Sequence, residues 1–349
     1  MQAFTIFREK SPILRNRIRI EDVAKIAGVS TATVSRALSH PDLVRQNTRD
    51  LVKNAIDKLG YVPDAAGRAL ASGRTKTVGC LIPTLDHAIF ASSTHALQNA
   101  LADAGYQLLV ASHNYNPEQE QALAEALMQR GVDALVLVGA KHAEQLWKTL
   151  ADWRKPVLLT WACDPRLPSV GFDNHAIAAL AARHLLDLGH TRIGMISGYL
   201  ENNDRAEARV LGLRDTMALA GVALDTEAFS QQALNISGGR LGLIELLKAK
   251  TPPTAILCGN DLLAAGALLE AQRRGVRVPE DLSICGIDNH DLAAEMNPAL
   301  TTVSLPTQDL GRIAAAQILA ALAGEPIARQ SLLPFELMIR GTTAAPSSA

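Results

Sequence analysis

From Thr77 onward the chain alternates short runs that are apolar at every position with longer stretches that are apolar on one helical face only. The runs are Val78–Ile82, Leu108–Ala111, Ala134–Val138, Val157–Thr160, Ile193–Ile196, Ala255–Cys258 and Ser283–Ile287. Amphipathic stretches lie between them, among them Pro117–Arg130, His175–Leu188, Ala206–Ala220 and Asp261–Arg274. A strand covered on one face alternates apolar and polar residues, so strands without alternation belong to sheets covered on both faces. Helical connections make neighbouring strands parallel. The pattern predicts an α/β core of two doubly wound parallel-sheet lobes, because about 260 residues exceed one comfortable domain. A first break between lobes is expected at Cys163–Pro168. With 48% hydrophobic and 20% charged residues among 349, disorder and disulfide scaffolds are excluded.

Upstream the period is helical from Ile20 to Leu59. Glu21 to Gly28 sets Val23, Ile26 and Ala27 on one face and stops at a glycine suited to a left-handed cap. Ser30 caps the next helix, Thr31 to Leu38, which buries Val34, Ala37 and Leu38. A third helix near Gln46 to Leu59 turns Leu51, Val52, Ile56 and Leu59 inward. Three short helices with a tight glycine turn form a helix-turn-helix candidate at 18–63. Residues 64–77 read as a linker with one short helix, Asp64 to Ser72, too brief to be stable alone. Residues 1–17 carry no clear pattern.

Charge follows the same division. Residues 1–77 hold 14 Lys/Arg against 7 Asp/Glu, and the remainder holds 20 against 28. A basic head on an acidic body suits a polyanion. Cys80, Cys258 and Cys285 fall within apolar runs and read as core thiols. With Cys163 they lack metal or disulfide spacing, which fits a reducing compartment. No signal peptide and no bilayer-length apolar run is expected, giving a cytoplasmic protein without membrane partners.

The stretch Ile20-Glu21-Asp22-Val23-Ala24-Lys25-Ile26-Ala27-Gly28-Val29-Ser30-Thr31-Ala32-Thr33-Val34-Ser35-Arg36-Ala37-Leu38 resembles the DNA-binding head of the lac/gal repressor family. The resemblance continues through Gly60-Tyr61-Val62-Pro63, Gly131-Val132-Asp133-Ala134-Leu135, Leu188-Gly189-His190-Thr191-Arg192-Ile193 and Pro298-Ala299-Leu300-Thr301-Thr302-Val303, covering about residues 18–340. It implies a transcriptional regulator, a repressor, whose operator affinity is set by a small molecule between the core lobes. The residue chemistry agrees. Ser30, Thr33 and Ser35 offer hydroxyls to phosphates, with Thr48 and Arg49 opening the third helix as further backbone contacts. Arg36 has the reach to bond guanine O6 and N7. Thr31 and Ala32 stand where the family reads bases. By resemblance, 64–77 holds the hinge helix, with Leu70 as a minor-groove wedge and Arg68 and Ala69 along the groove.

Ligands of open parallel sheets sit beyond the carboxyl ends of strands. Lys141, Asp173, Asn260 and Asp288 follow such runs, and Arg209 lies on the helix after Ile193–Ser197. Asp173, Arg209, Asn260 and Asp288 match family effector positions, and Phe90 matches an apolar wall. Singly, each has an ordinary alternative as a cap or ion-pair partner. As a set they suit a sugar or sugar acid, since hydroxyls need paired carboxylate and amide partners. His113-Asn114-Tyr115-Asn116-Pro117-Glu118 and Val170-Gly171-Phe172-Asp173-Asn174 look similar to the gluconate-responsive branch.

No catalytic motif, cofactor fingerprint or zinc spacing is present in the sequence, so no enzyme, cofactor or metal is expected. A homodimer on a pseudo-palindromic operator is implied, because two heads need a twofold axis. The family resemblance also implies three crossings between lobes, near Cys163–Pro168, Val303–Thr307 and Ala323–Pro326. These give lobe 1 as 78–163 with 307–323 and lobe 2 as 168–303 with 326–340. The alternatives are a periplasmic-type solute-binding protein and, more remotely, an α/β sugar-processing enzyme.

Overall fold

The computed structural model describes residues 18–39, 41–62, 73–86 and 88–347. The chain divides after Thr75 into a small head and a large core. The proposed linker helix, with Arg68, Ala69 and Leu70, lies outside the described residues.

In the head, α1 (Ile20–Ala27), α2 (Thr31–Ser39) and α3 (Gln46–Leu59) follow one another, with a single 3-10 turn at Pro41–Leu43. Gly28 ends α1 in the left-handed region at φ 67°, its N–H donating to the Ala24 carbonyl. Val23, Ala24, Ala27, Val34, Val52 and Ala55 form the buried centre. Ile26 and Leu51, expected inside, are about half exposed. At 100° per residue each stands roughly a quarter-turn or more from the stripe its helix buries, and Ala24 and Ala55 fill that stripe instead. Arg45 precedes α3 and no side chain caps it.

The core contains two six-stranded sheets. The first is built from β1 (Thr77–Ile82), β2 (Gln107–Ser112), β3 (Ala134–Val138), β4 (Val157–Trp161), β5 (Ser169–Gly171) and β11 (Gln330–Leu332). The second takes β6 (Ile193–Gly198), β7 (Phe229–Gln232), β8 (Ala255–Cys258), β9 (Ser283–Asp288), β10 (Thr301–Ser304) and β12 (Glu336–Met338). The spatial orders are β2-β1-β3-β4-β5-β11 and β7-β6-β8-β9-β10-β12. Every neighbouring pair is parallel except β10 and β12.

The period of two assigns each strand residue to a face. Val78, Cys80 and Ile82 of β1 pack with Phe90, Leu97 and Leu101, while Leu81 faces Ala124, Leu127, Leu135 and Leu146 on the other side. In the second sheet Ala255 and Leu257 face one way, Ile256 and Cys258 the other. The edge strand β2 departs from full burial, with Leu109 and Val110 more than a third exposed.

Strand pairing moves two of the expected lobe crossings. β5 and β11 pair with one another in the first sheet, so 168–171 and 330–332 belong to lobe 1 rather than lobe 2. The chain crosses after Gly171, between β10 and the helix Thr307–Ala323, and between Leu332 and Glu336. Strands of three residues leave too short a hydrophobic run to be seen in sequence.

Candidate functional site: an exposed recognition helix and an interlobe cleft

In the head, α2 begins with Ser30 Oγ accepting from the Thr33 N–H at 3.1 Å, and the two hydroxyls lie 2.9 Å apart. That bond satisfies one of the free donors at the helix start. With Val34 pinned in the core, Thr31, Ala32 and Arg36 are exposed and Thr33 and Ser35 half-buried. The outward face of α2 is therefore short at its start and carries one long cation a turn later. At the start of α3, Thr48 is half-buried and Arg49 donates to Gln46 Oε1 at 2.5 Å.

The two sheets share the order 2-1-3-4-5 along their first five strands. This leaves a crevice beyond the strand ends where winding reverses, at β1/β3 and at β6/β8. A narrow cavity of about 50 Å³ lies there. Lobe 1 lines it with Phe90, Tyr115 and Trp161, lobe 2 with Arg205, Arg209, Asn260 and Asp288 among others. Phe90 and Trp161 meet edge to face with centroids 5.0 Å apart, and Trp161 adopts φ 71° to reach this position. The space suffices for a few waters, so admitting a ring requires the lobes to part.

Arg209 is the centre of the polar half. Its Nε donates to Asn174 Oδ1 at 3.0 Å, its Nη1 to the Gly259 carbonyl at 2.7 Å, and Asp288 Oδ1 lies 3.9 Å away. Burial opposes charge on both ion-pair members. The guanidinium keeps its proton, while burial drives the Asp288 carboxyl well above the usual carboxylate range, with Arg209 opposing the shift. Asp288 sits at φ 122°, a strained backbone position for a side chain with a Cβ. Behind it, Asp261 accepts from Thr302 Oγ1 at 2.6 Å and from the His290 N–H at 2.7 Å, and burial pushes it up to about 6. Asn260 caps the helix Asp261–Arg274 by accepting from the Leu263 N–H at 2.9 Å.

Of the expected effector residues, Phe90, Arg209, Asn260 and Asp288 are brought together in this cavity. Asp173 is not. It is exposed and caps the helix Asn174–Asp187, accepting from the Ala176 N–H at 2.9 Å, while its neighbour Asn174 turns inward to Arg209. Lys141 is also outside, forming an ion pair of 2.5 Å with Glu207 across the lobes.

Arg205 was missed from sequence. It stands one turn before Arg209 on the helix Asp204–Leu219, its guanidinium 6.0 Å from the Phe90 ring centroid. Asp204 accepts from Arg205 Nη1 at 2.7 Å and from the Ala140 N–H at 2.8 Å. Gly139, at φ 94°, makes this possible: a Cβ there would lie 2.4 Å from Arg205 Nη1. The i, i+4 spacing of Arg205 and Arg209 was the available signal.

A three-helix head exposing a short recognition helix, joined to a two-lobed core that encloses a polar cleft, defines a ligand-controlled DNA-binding protein. Comparison with known proteins agrees. The profile for bacterial regulatory proteins of the lacI family matches residues 19–64, and that for a periplasmic binding protein-like domain matches 182–343. The chain is 33% identical over 331 residues to the HTH-type transcriptional repressor CytR of Escherichia coli strain K12, covering 93% of this chain and 96% of that one. Among solved structures, the lac repressor dimer bound to operator and the anti-inducer ONPF superposes with TM-score 0.84 at 25% identity, covering 95% and 100% of the two chains. The transcription regulator GntR of Chromobacterium violaceum does so with TM-score 0.73 at 33% identity, over 76% of this chain and 99% of that one. The chain belongs to the lacI family of bacterial regulatory proteins. It is a DNA-binding transcriptional regulator, not a free solute-binding protein. Among the described residues no helix is long and apolar enough to cross a membrane.

Proposed function

We propose that this regulator is a repressor working as a homodimer on a pseudo-palindromic operator in the cytoplasm. It catalyses no reaction, and its effector is a sugar or sugar acid of gluconate-like chemistry. Each head contacts phosphates through Ser30, Thr33, Ser35, Thr48 and Arg49 and reads bases through Thr31, Ala32 and Arg36. Leu70 wedges the minor groove, with Arg68 and Ala69 alongside.

The observation that carries the effector reading is the Arg209–Asp288 pair, buried in a crevice that both lobes line. A guanidinium with a carboxyl nearby offers donors and acceptors in the fixed arrangement that vicinal hydroxyls need. The guanidiniums of Arg205 and Arg209 on the cavity wall support an acidic group on the ligand. The effector acts by binding the open and closed lobe arrangements unequally, which shifts the spacing of the paired heads.

The test is a thermal-shift screen of the purified protein against sugars, aldonic and uronic acids, phosphosugars and purines. Each hit is then titrated against operator DNA by fluorescence anisotropy. A sugar or sugar acid that raises Tm and changes operator affinity is the expected result. Stabilisation by purines alone would overturn the sugar assignment, and indifference to every duplex would overturn the function. Leu70→Ala is expected to reduce the operator bend, read by FRET between end-labelled strands.

A further inference from the structure

Lobe 1 buries a second set of titratable groups. Glu120 on the helix Pro117–Gln129, His113 beyond β2 and His142 beyond β3 come together with side chains at most 7% exposed. His142 Nδ1 lies 3.0 Å from each Glu120 carboxylate oxygen, and its Nε2 lies 3.3 Å from the Gly139 carbonyl. Among the described residues His142 is the only side chain hydrogen-bonded to this carboxylate. His113 Nε2 stays 3.5 Å from Glu120 Oε1, and neither of its ring nitrogens has a hydrogen-bond partner among the described residues.

Counting donors fixes where a proton sits. A neutral imidazole has one N–H and one lone pair, whereas both nitrogens of His142 face acceptors. The ring satisfies the carboxylate and the carbonyl together only as imidazolium. Burial leads to the same place. A carboxylate this deep needs a counter-charge, and among the described residues no lysine or arginine pairs with Glu120. His113 does not supply that charge: burial lowers its affinity for a proton, Glu120 opposes the shift, and His142 and Arg205 add to it.

The proton bears on lobe 2 through what it holds in place. His142 closes the turn after β3, residues 139–142, whose other end is tied by the Gly139 N–H donating to the Thr160 carbonyl at 2.8 Å. That turn presents the Ala140 N–H to Asp204 and Lys141 to Glu207, and it seats Arg205 against Gly139. All three partners lie on the helix Asp204–Leu219 of lobe 2. On the other side Trp147, from the helix that Glu144 opens, meets the His142 ring edge to face with centroids 5.1 Å apart. Arg166 stacks on Trp147 at 3.7 Å and pairs with Asp164. The cations around His142 thus carry their own carboxylates, Arg166 with Asp164 and Arg205 with Asp204, which leaves Glu120 to the imidazolium.

We propose that Glu120 and His142 form a buried ion pair whose single proton positions the turn after β3 for lobe closure. Both are positioning residues, since neither lines the inner cavity, and the inference is independent of which molecule the cleft takes. Closure is thereby linked to pH. When the proton passes to solvent as pH rises, His142 keeps its N–H for the carboxylate. Nε2 then turns a lone pair on the Gly139 carbonyl, which repels it and frees the turn. Acidification within the range where the fold persists keeps the pair charged and the turn set.

The experiment records two-bond proton–nitrogen correlation spectra of the full chain labelled at histidine, between about pH 6 and 9, with small-angle scattering on the same samples. The His142 signal is identified by its loss in His142→Gln. At neutral pH both of its ring nitrogens are expected to be protonated in the wild type, and only one in Glu120→Gln. The radius of gyration of the wild type should rise as His142 loses its proton. Glu120→Gln should show the larger radius at every pH, its closure weakened about tenfold by the loss of one charge-assisted hydrogen bond. A neutral His142 ring in the wild type at neutral pH overturns the proposal, and that reading requires no variant to fold. A wild-type radius that stays constant while His142 titrates overturns the link to closure. So does a Glu120→Gln radius that still rises with pH as the wild type does, because the pair would then act through packing alone.

Discussion

Arg209 faces one buried carboxyl directly and a second behind it, and its charge opposes the effect of burial on both. Removing the guanidinium leaves Asp288 in the interior without its counter-charge, and breaking such a pair costs about 3–5 kcal/mol when the remaining charge cannot escape. Asp288 has an escape, because burial already favours its protonated form. Arg209→Ala should therefore destabilise the core by about 2–3 kcal/mol in urea titrations. Unchanged stability would contradict the pairing. Asp261 gives a second test at the same scale. Its folded value of about 6 lies above the ordinary 3.8, so the native state binds the proton more readily than the unfolded chain. The associated stability is present below the unfolded value and is lost as pH rises through about 6. Asp261→Asn removes this titration. Between pH 4 and 7.5 the wild type should lose up to about 3 kcal/mol relative to the variant, read as diverging Tm curves.

At the scale of elements, a set of polar contacts joins the lobes where the start of the helix Asp204–Leu219 meets the turn after β3. Asp204 takes the Ala140 N–H, Lys141 pairs with Glu207, and Arg205 fits over Gly139. Gly139→Ala introduces a Cβ that overlaps Arg205 Nη1 and also strains a φ of 94°. The closed arrangement should be weakened about tenfold or more, which corresponds to 1.4 kcal/mol. The variant should show a larger radius of gyration by small-angle scattering and weaker effector binding, with little change in the head. This contact also explains what the sequence made legible. Runs apolar at every position can only be doubly covered strands, so β1, β3, β4, β6, β8 and β9 were readable, and Asn260 just beyond β8 and Asp288 at the end of β9 could be named. Arg205 showed only its i, i+4 spacing from Arg209, because its place depends on a glycine in the other lobe, 66 positions away. Asp173 and Asn174 show the reverse difficulty. Both follow β5, and only the turn of the helix decides that the first caps and the second faces inward. Lys141 satisfies the rule of strand ends yet faces Glu207, since that rule gives a position along the chain and not a direction.

For the whole molecule, the division of charge sets how operator binding responds to salt. Binding that neutralises phosphates releases counterions, so affinity falls with a slope set by the number of cationic contacts. The proposed hydroxyl contacts from Ser30, Thr33 and Thr48 would add none to that slope; Arg36, Arg49 and other basic residues of each head would. Two heads with about three such contacts each predict a loss of roughly 10³-fold in affinity between 50 and 200 mM salt. The slope also separates two ways in which an effector acts. If it alters head spacing so that one head leaves the duplex, the salt slope should fall by about half along with the affinity. If both heads stay engaged and only their fit to the grooves changes, affinity drops while the slope is kept. Measured by anisotropy on a symmetric operator with and without effector, a halved slope is the expected outcome, because a rigid pair of heads at the wrong spacing cannot satisfy both half-sites. Arg36→Ala provides the control within the same assay. It should relax base preference at one position of each half-site and cost about 1–3 kcal/mol per head on the preferred sequence. An identical loss on every sequence would make Arg36 a phosphate contact instead.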